Sequence, residues 1–320
     1  MRLPSLGEME AAARLVHETV PPTPQIRWPL VCARAGAEVW IKHENHTQIG
    51  AFKLRGGVVY MRRLAECEPQ IAGVITATRG NHGQSVALAA ARAGLRCVIV
   101  VPHGNSREKN AAMRALGAEL IEHGADYQQA AEHAATLAAE RRLHVVRGFD
   151  PALVCGVASY ALELFGAVSG LDTVYVPIGL GSGICGLIAA RNALGLRTEI
   201  VGVVAERAPA YGLSFAAGRA IAAPVEDTIA DGMACRVPDP AALAIILEGA
   251  ARVVTVNDSE IAAAMRHLFS DTHNVAEGAG AAAYAALLQE RDRIAGRRVA
   301  AILTGGNVDR DVFARILASG

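Results

Sequence analysis

Lysine is rare in this sequence, and its three lysines are the first candidates for chemistry. Lys42, Lys53 and Lys109 are the only lysines among 31 basic residues. Arginine can replace lysine as a surface charge, but only a primary amine that loses its proton can form a Schiff base. Each lysine is therefore either a solvated charge or a candidate nucleophile, and the residues around it must decide.

A glycine-rich segment, GLGSGICG at 179–186, follows the apolar run TVYVPI. Glycines at a strand-to-helix turn let backbone N–H groups close around an anion, and the helix dipole adds stabilisation. The segment is not a P-loop, because no Gly-Lys-Ser/Thr follows, and its spacing only loosely resembles a dinucleotide fingerprint. It predicts a phosphate site, with a packing turn as the alternative.

Two more polar segments follow apolar runs. TRGNHGQ at 78–84 opens a helical pattern and offers a backbone nest for a carboxylate or a phenolic oxygen. The alternative is a helix start capped by Asn81. TGGNVD at 304–309 follows RVAAIL, and its Thr304 hydroxyl either faces a ligand or belongs to a tight turn.

Short β-rich runs alternate with helical patterns along most of the chain, which predicts an α/β fold with open, mostly parallel sheets and helices on both faces. Such sheets bind ligands at the carboxyl ends of their strands, where the polar segments lie. We expect two domains: a small one of residues 68–148, inserted into a large one of residues 1–67 plus 149–320. The predicted strands are VWIKHE, GVITAT, RCVIVVP, AELIEH, LHVV, TVYVPIG, TEIVGVVA, RVVTV and RVAAIL.

The composition excludes several classes of protein. The formal net charge is +0 and no basic run stands out, so no nucleic-acid or membrane partner is expected. No apolar stretch reaches the ~18 residues of a membrane span, and the first 20 residues lack the apolar core of a signal peptide. The six cysteines are scattered without a CxxC pair, which favours free thiols in the cytoplasm over a zinc site.

Six segments together resemble a known family. They are IGAFKLRGG (49–57), TRGNHGQ (78–84), GLGSGICG (179–186), DTIADGMA (227–234), VAEGAGAA (275–282) and LTGGNVD (303–309). In this order they resemble the fold-type II pyridoxal-phosphate (PLP) enzymes, which are tryptophan synthase β-like, in the threonine/serine dehydratase and serine racemase branch. The resemblance implies an ammonia-lyase that converts a β-hydroxy amino acid to a 2-oxo acid and ammonia. Threonine, serine or a bulkier substrate such as phenylserine would fit. It also implies a homodimer with PLP between the domains.

The resemblance assigns roles to matching residues. Lys53 would be the Schiff-base lysine and the base that takes the α-proton, with Thr78 and Arg79 beside it as further catalytic candidates. Thr78, with the backbone around Asn81 and His82, would hold the substrate carboxylate, and Arg79 is a further candidate for binding the substrate. The cofactor would be bound by Phe52 and Lys53, by Asn81 at its 3′ oxygen, by Gly179, Leu180, Gly181, Ser182 and Gly183 at its phosphate, by Gly232 and Glu277 on its reactive face, and by Thr304 at its pyridine nitrogen.

Arg79 departs from the family pattern. In serine racemases the matching position is a serine that serves as the acid/base on the second face of the substrate. Arginine is a poor proton shuttle, so we expect weak or absent racemisation. Arg79 would instead pair with a second carboxylate, as in 3-hydroxyaspartate, stack on an aromatic ring, as in phenylserine, or form a salt bridge at the cleft rim.

The cation site of the family is only partly present. Glu206 matches its first ligand, but Gly212 stands where an acidic residue is usual. We therefore expect no divalent ion, and at most a monovalent cation held by Glu206 and carbonyl groups. Because the chain ends at Gly320, soon after TGGNVD, we also expect no C-terminal regulatory domain and a catabolic role.

Several alternatives stay open at this point. The substrate could be 3-hydroxyaspartate or a hydroxyectoine-derived amino acid. The activity could be that of a racemase or a β-replacing enzyme of the same fold. A non-catalytic protein that retains PLP or a nucleotide is a further alternative. A dinucleotide-dependent oxidoreductase is weaker, because the glycine segment comes late and no acidic residue is placed to bind a ribose.

Overall fold

Two β-sheets organise the chain in the computed structural model, which describes residues 1–319. Every predicted strand run forms a strand, and a two-residue strand at 25–26 was not predicted. The strands are β1 (Gln25–Ile26), β2 (Glu38–His43), β3 (Gly73–Ala77), β4 (Arg96–Val101), β5 (Glu119–Glu122), β6 (His144–Val145), β7 (Thr173–Pro177), β8 (Glu199–Ala205), β9 (Arg252–Val256) and β10 (Arg298–Leu303).

The larger sheet has the strand order β1-β2-β10-β7-β8-β9, and the smaller one has the order β5-β4-β3-β6. Every neighbouring pair is parallel except β1 with β2. Parallel neighbours need crossover connections, which helices supply on both faces of each sheet. The predicted α/β architecture with mostly parallel sheets is therefore confirmed.

Helices alternate with the strands along most of the chain. They are α1 (Leu6–His17), α2 (Pro29–Ala35), α3 (Lys53–Cys67), α4 (Asn81–Arg92), α5 (Arg107–Ala115), α6 (Tyr127–Arg141), α7 (Pro151–Ala167), α8 (Ser182–Ala193), α9 (Ala210–Ala217), α10 (Pro240–Gly249), α11 (Asp258–Thr272), α12 (Gly278–Gln289), α13 (Arg291–Ile294) and α14 (Arg310–Ala318), with a short 3-10 turn at Asp231–Met233.

Local sequence explains several helix starts. Ser5 and Glu8 form a reciprocal capping box at the start of α1, in which each side chain accepts from the other residue's backbone N–H. Asp150 and Asp239 cap α7 and α10, each directly before a proline at the first helical position. Proline is favoured there because its missing N–H would have no partner within the helix.

The strands of the larger sheet are apolar on both faces because helices cover both. On β8, Ile200 and Val204 pack against α7, α8 and α10, whereas Val201 and Val203 pack against α11 and α12. Successive side chains of a strand point to opposite faces, so one strand contributes to two cores. This burial holds the carboxyl ends of the strands in place.

The smaller sheet lies within residues 73–145, inside the segment predicted as the inserted domain. Met61 and Leu64, from the second half of α3, join the core of this sheet, while Leu54 packs with residues of α1 and α7. Helix α3 therefore links the two sheets, and the domain boundaries at 67/68 and 148/149 stay a prediction.

The structure also bears on the predictions about membrane-spanning segments and cysteines. Within residues 1–319, no helix is both long and apolar enough to cross a membrane. All six cysteines are free thiols, and four of them are buried.

Candidate active site

A cavity of about 400 Å³ opens between the two sheets, at the carboxyl ends of β3, β7 and β10. Ligands bind at this edge of open parallel sheets. The structure brings together here all the residues predicted to bind cofactor or substrate, and one predicted residue, Glu206, lies elsewhere. The predicted residues that line the cavity are Phe52, Lys53, Thr78, Arg79, Asn81, His82, Gly179, Leu180, Gly181, Ser182, Gly183, Gly232, Glu277 and Thr304.

Lys53 is the first residue of α3, and its amine faces the cavity. Its Nζ lies 3.2 Å from Ser182 Oγ and 4.8 Å from the centroid of the Phe52 ring. Within residues 1–319 it forms no ion pair with a carboxylate. Burial lowers the pKa of the Lys53 amine from 10.5 to about 8, because desolvation disfavours the charged form. A neutral amine, which is the nucleophilic form, is therefore accessible near neutral pH.

The other two lysines are ion-paired and buried. Lys42 Nζ lies 2.5 Å from Glu163, and Lys109 Nζ lies 2.9 Å from Asp231 and 3.0 Å from Glu277. Burial alone would lower the pKa of Lys109, but the two carboxylates outweigh burial and raise it. The alternative that the lysines are solvated charges is thus wrong for Lys42 and Lys109, which are 0% and 6% exposed.

The glycine-rich turn before α8 has the geometry of an anion cradle. Gly181 caps α8 with φ +99°, a conformation that residues with a Cβ rarely adopt. A Cβ on Gly179 would lie 2.5 Å from the carbonyl oxygen of Gly232, so only glycine fits there. Among the described residues no side chain caps α8, so its first N–H groups stay available to a ligand. These features fit a phosphate of PLP size and charge.

Asn81 occupies a different position from the cap that the sequence suggested as an alternative. It is the first residue of α4, and Gly80 holds the cap position. The Asn81 side chain donates to Glu277 Oε1 and accepts from Asn307 Nδ2 at 2.8 Å. An asparagine amide has two N–H groups, so one is left for a cofactor oxygen. The hydrogen bonds fix the direction of that N–H.

Thr78 and His82 complete the loop between β3 and α4. Thr78 Oγ1 accepts from the N–H groups of Gly80 and Gly83 at 3.0 and 3.3 Å, which shapes the turn and leaves its own hydroxyl proton free. Desolvation lowers the pKa of His82 to about 3, so its imidazole is neutral. Its buried Nε2 has no hydrogen-bond partner within residues 1–319. The loop thus offers neutral polar groups to a ligand.

Thr304 and Phe52 are fixed by packing. Thr304 follows β10, and its hydroxyl donates to the carbonyl oxygen of Ala279 at 3.4 Å. The Phe52 ring packs edge-to-face on Tyr160, whose hydroxyl donates to the carbonyl oxygen of Gly183 at 2.9 Å. These contacts connect the start of α3 with the glycine-rich turn.

Arg79 lines the cavity with no protein anion beside it. Its guanidinium makes no ion pair or side-chain hydrogen bond within residues 1–319, and its Nε is buried without a partner. The salt bridge at the cleft rim, one of three alternatives from the sequence, is therefore not formed. The contact of Arg79 is left to a ligand.

Several residues that line or support the cavity were not predicted from the sequence. Lys109 pairs with both Asp231 and Glu277, and Asn307 donates to Asn81. The sequence carried a signal for each of them: Lys109 is one of only three lysines, and Asp231 and Asn307 lie in the motif segments 227–234 and 303–309. No sequence motif pointed to Tyr127 and Val237, which line the outer part of the cavity.

Glu206 is exposed on the turn after β8 and does not line the cavity. Among the described residues no group of three or more His, Cys, Asp or Glu side chains could hold a metal ion. A monovalent cation at Glu206 and carbonyl groups stays a prediction.

Comparison with known proteins agrees with this geometry. The model of a family described as pyridoxal-phosphate dependent enzyme matches residues 16–305. The L-threonine ammonia-lyase of Thermotoga maritima is 32% identical over 99% of this chain and 79% of its own length. The L-threo-3-hydroxyaspartate ammonia-lyase of Saccharomyces cerevisiae is 30% identical over 99% of this chain and 98% of its own.

Among solved structures, a pyridoxal 5'-phosphate-dependent aspartate racemase superposes with a TM-score of 0.92. It is 29% identical, and the match covers 97% of this chain and 98% of that one. The family match spans most of the chain and includes the Lys53, Asn81 and glycine-rich segments. The chain therefore belongs to the pyridoxal-phosphate-dependent enzymes, in the fold-type II group that its sequence motifs indicated.

Proposed function

We propose that the chain is an ammonia-lyase that eliminates water from a β-hydroxy amino acid and releases a 2-oxo acid and ammonia. The observation that carries this proposal is the Lys53 amine, which is desolvated, free of carboxylates within residues 1–319 and placed beside the anion cradle of α8, 3.2 Å from Ser182 Oγ. An amine of lowered pKa serves both as the attachment point of a carbonyl cofactor and as a base. Similarity to two proteins named as ammonia-lyases supports the reaction class.

The residues of the cavity divide the binding of PLP between them. The N–H groups at the start of α8 would hold the phosphate, the free N–H of Asn81 would contact the 3′ oxygen of the cofactor, and Thr304 would face the pyridine nitrogen. When bound, PLP supplies the electron sink for cleavage at Cα. A neutral hydroxyl at the pyridine nitrogen, unlike an aspartate, does not hold it protonated, which favours prompt elimination over slower carbanion chemistry.

The protein residues then orient the substrate and move its protons. Thr78 Oγ1 accepts from the N–H groups of Gly80 and Gly83, but within the described residues those of Asn81 and His82, at the start of α4, have no acceptor, and they suit the substrate carboxylate. Lys53 would take the proton from Cα. Its hydrogen bond to Ser182 directs the amine toward the cavity.

The outer part of the cavity sets the size of the substrate side chain. Tyr127, Val225 and Val237 line it with apolar surface. A cavity of about 400 Å³ lies within the roughly 300–1,000 Å³ typical of ligand pockets. The cofactor takes part of this volume; we expect serine and threonine to occupy the remainder, and the phenyl ring of phenylserine to pack on these apolar side chains.

The experiment that tests the proposal is a substrate panel on PLP-loaded protein. Threonine, serine, phenylserine and 3-hydroxyaspartate are added separately, and 2-oxo acid and ammonia are both measured. We expect equimolar release of the two products from at least one substrate. If none of the four gives any 2-oxo acid, while the cofactor stays bound, the proposal is wrong.

The same panel separates the rival reactions of this fold. The similar aspartate racemase makes racemisation the second candidate. Because Arg79 stands where racemases use a serine, we expect inversion at Cα to be much slower than elimination. Chiral chromatography of the remaining substrate measures it, and added thiols reveal any β-replacement as a new amino acid.

We also propose a homodimer, which the resemblance implies. Light scattering of the purified protein would then give twice the 33.4 kDa mass of the chain. A cytoplasmic location remains a prediction from the cysteine pattern.

A further inference from the structure

The cavity contains more cationic groups than the protein itself neutralises. Its carboxylates are already paired: Asp231 and Glu277 with Lys109, at 2.9 and 3.0 Å, and Asp126 with Arg236 at 3.8 Å. Arg79 pairs with none of them within residues 1–319. A buried N–H without an acceptor costs stability, so an unpaired guanidinium in a cavity indicates an acceptor that comes with the ligand.

The chemistry of that acceptor follows from the guanidinium. Arginine presents a planar fork of N–H donors that matches a carboxylate or a phosphate. The phosphate of the cofactor already has the cradle at Gly179–Gly183. No protein aromatic ring lies over the Arg79 guanidinium in the described part of the chain, so its N–H donors are not turned toward a ring of the protein.

We propose that Arg79 is a carboxylate-binding residue of the active site and thereby a determinant of substrate specificity. This inference rests on the proposed function, because the carboxylate is that of an amino-acid substrate. The carboxylate has two sources. It is either the α-carboxylate, which Arg79 would share with the N–H groups at the start of α4, or a second carboxylate on the substrate side chain, as in 3-hydroxyaspartate.

The test compares Arg79→Gln and Arg79→Lys with wild-type protein, all loaded with PLP. The matched control is Arg92→Gln, which removes an exposed arginine from the other end of α4. The first readout is the dissociation constant of malonate and of acetate, measured by calorimetry without turnover. The second is KM and kcat for serine, threonine and 3-hydroxyaspartate. The third is the dissociation constant of PLP.

We expect Arg79→Gln to raise the dissociation constant of malonate, and the KM of substrates that use Arg79, roughly 10- to 100-fold, as for the loss of a charge-assisted hydrogen bond. Arg79→Lys keeps the positive charge but loses the planar fork of N–H donors, so we expect its dissociation constants and KM values to lie between those of wild type and Arg79→Gln. We expect Arg92→Gln to bind carboxylates and substrates as the wild type does. We also expect the dissociation constant of PLP to stay at the wild-type value in all variants. If affinity falls only for malonate and 3-hydroxyaspartate, Arg79 binds a carboxylate on the substrate side chain. If affinity falls equally for acetate and all three substrates, Arg79 binds the α-carboxylate.

Unchanged carboxylate binding and KM in Arg79→Gln overturn the inference, and so does a loss of PLP affinity alone. Failure of the proposed function is a separate result. Wild-type protein that binds carboxylates through Arg79 but releases no 2-oxo acid retains the binding site and excludes the lyase.

Discussion

Two groups of charged side chains lie on opposite sides of the start of α3, and they differ in whether the charges have protein partners. Beneath the helix, Lys42, Glu44, Arg55 and Glu163 form an ion network in which every charge has a partner: Arg55 lies 2.7 Å from Glu44 and 2.6 Å from Glu163. In the cavity, Lys53 has only a serine hydroxyl beside its amine, and Arg79 has no protein partner within residues 1–319.

The difference separates charges that serve the fold from charges that serve a ligand. Arg55 comes two residues after Lys53, so the two side chains leave α3 roughly 200° apart around its axis. The ion network fixes α3 from below, and the unpaired amine emerges above. Buried charges are costly unless paired, so the protein retains unpaired ones where a ligand completes them.

The largest expected effect is on the cavity side. Lys53→Ala removes the amine that attaches the cofactor and takes the α-proton, so we expect the rate of 2-oxo acid release to fall at least about 10³-fold. The visible absorption of bound PLP is lost, while circular dichroism shows an intact fold. Retention of activity within a few-fold of wild type would remove Lys53 from the chemistry.

Removing the central cation of the ion network should lower the free energy of unfolding. Arg55→Met leaves the Glu44 and Glu163 carboxylates without their main cation, so we expect a loss of about 3–5 kcal/mol in the free energy of unfolding. Urea denaturation of the PLP-free protein measures it. If Arg55→Met is as stable as wild type, the network does not hold α3.

The pH dependence should distinguish the Lys53 amine from an ordinary lysine. Its pKa is lowered to about 8, so the neutral fraction, and with it the rate of PLP attachment, rises roughly tenfold per pH unit below pH 8 and levels off above it. Stopped-flow absorption of PLP mixed with PLP-free protein measures the rate between pH 6 and 10. A rate that still climbs beyond pH 9 would show that the amine is not desolvated.

The smallest effect is expected from an exposed pair. Arg96 lies 2.6 Å from Glu119, with side chains 53% and 40% exposed. Arg96→Gln should therefore cost under ~1 kcal/mol of unfolding free energy and leave catalysis unchanged. Arg96→Gln is measured under the same conditions as Arg55→Met. The difference between their losses of unfolding free energy shows how much the burial of the ion network matters.

The sequence predicted the sheet architecture and the convergence of its motifs, but it did not predict the pairing of charges. Convergence follows from a local rule, because segments after parallel strands meet at one edge. Pairing depends on contacts between distant residues: Lys109 and Asp231 are 122 residues apart, and Arg55 and Glu163 are 108 apart. Both pairs form only once helices from different parts of the chain have packed, so the motif around Lys53 could not reveal them.

The most direct test of the account is to locate the covalent attachment of PLP. The PLP-loaded protein is reduced with borohydride, digested and analysed by mass spectrometry, and the chain's three lysines make the assignment unambiguous. We expect the phosphopyridoxyl group on Lys53 alone, because Lys42 and Lys109 are ion-paired ammonium groups. Modification of Lys42 or Lys109, or of no lysine at all, would contradict the distinction between the paired and the unpaired charges.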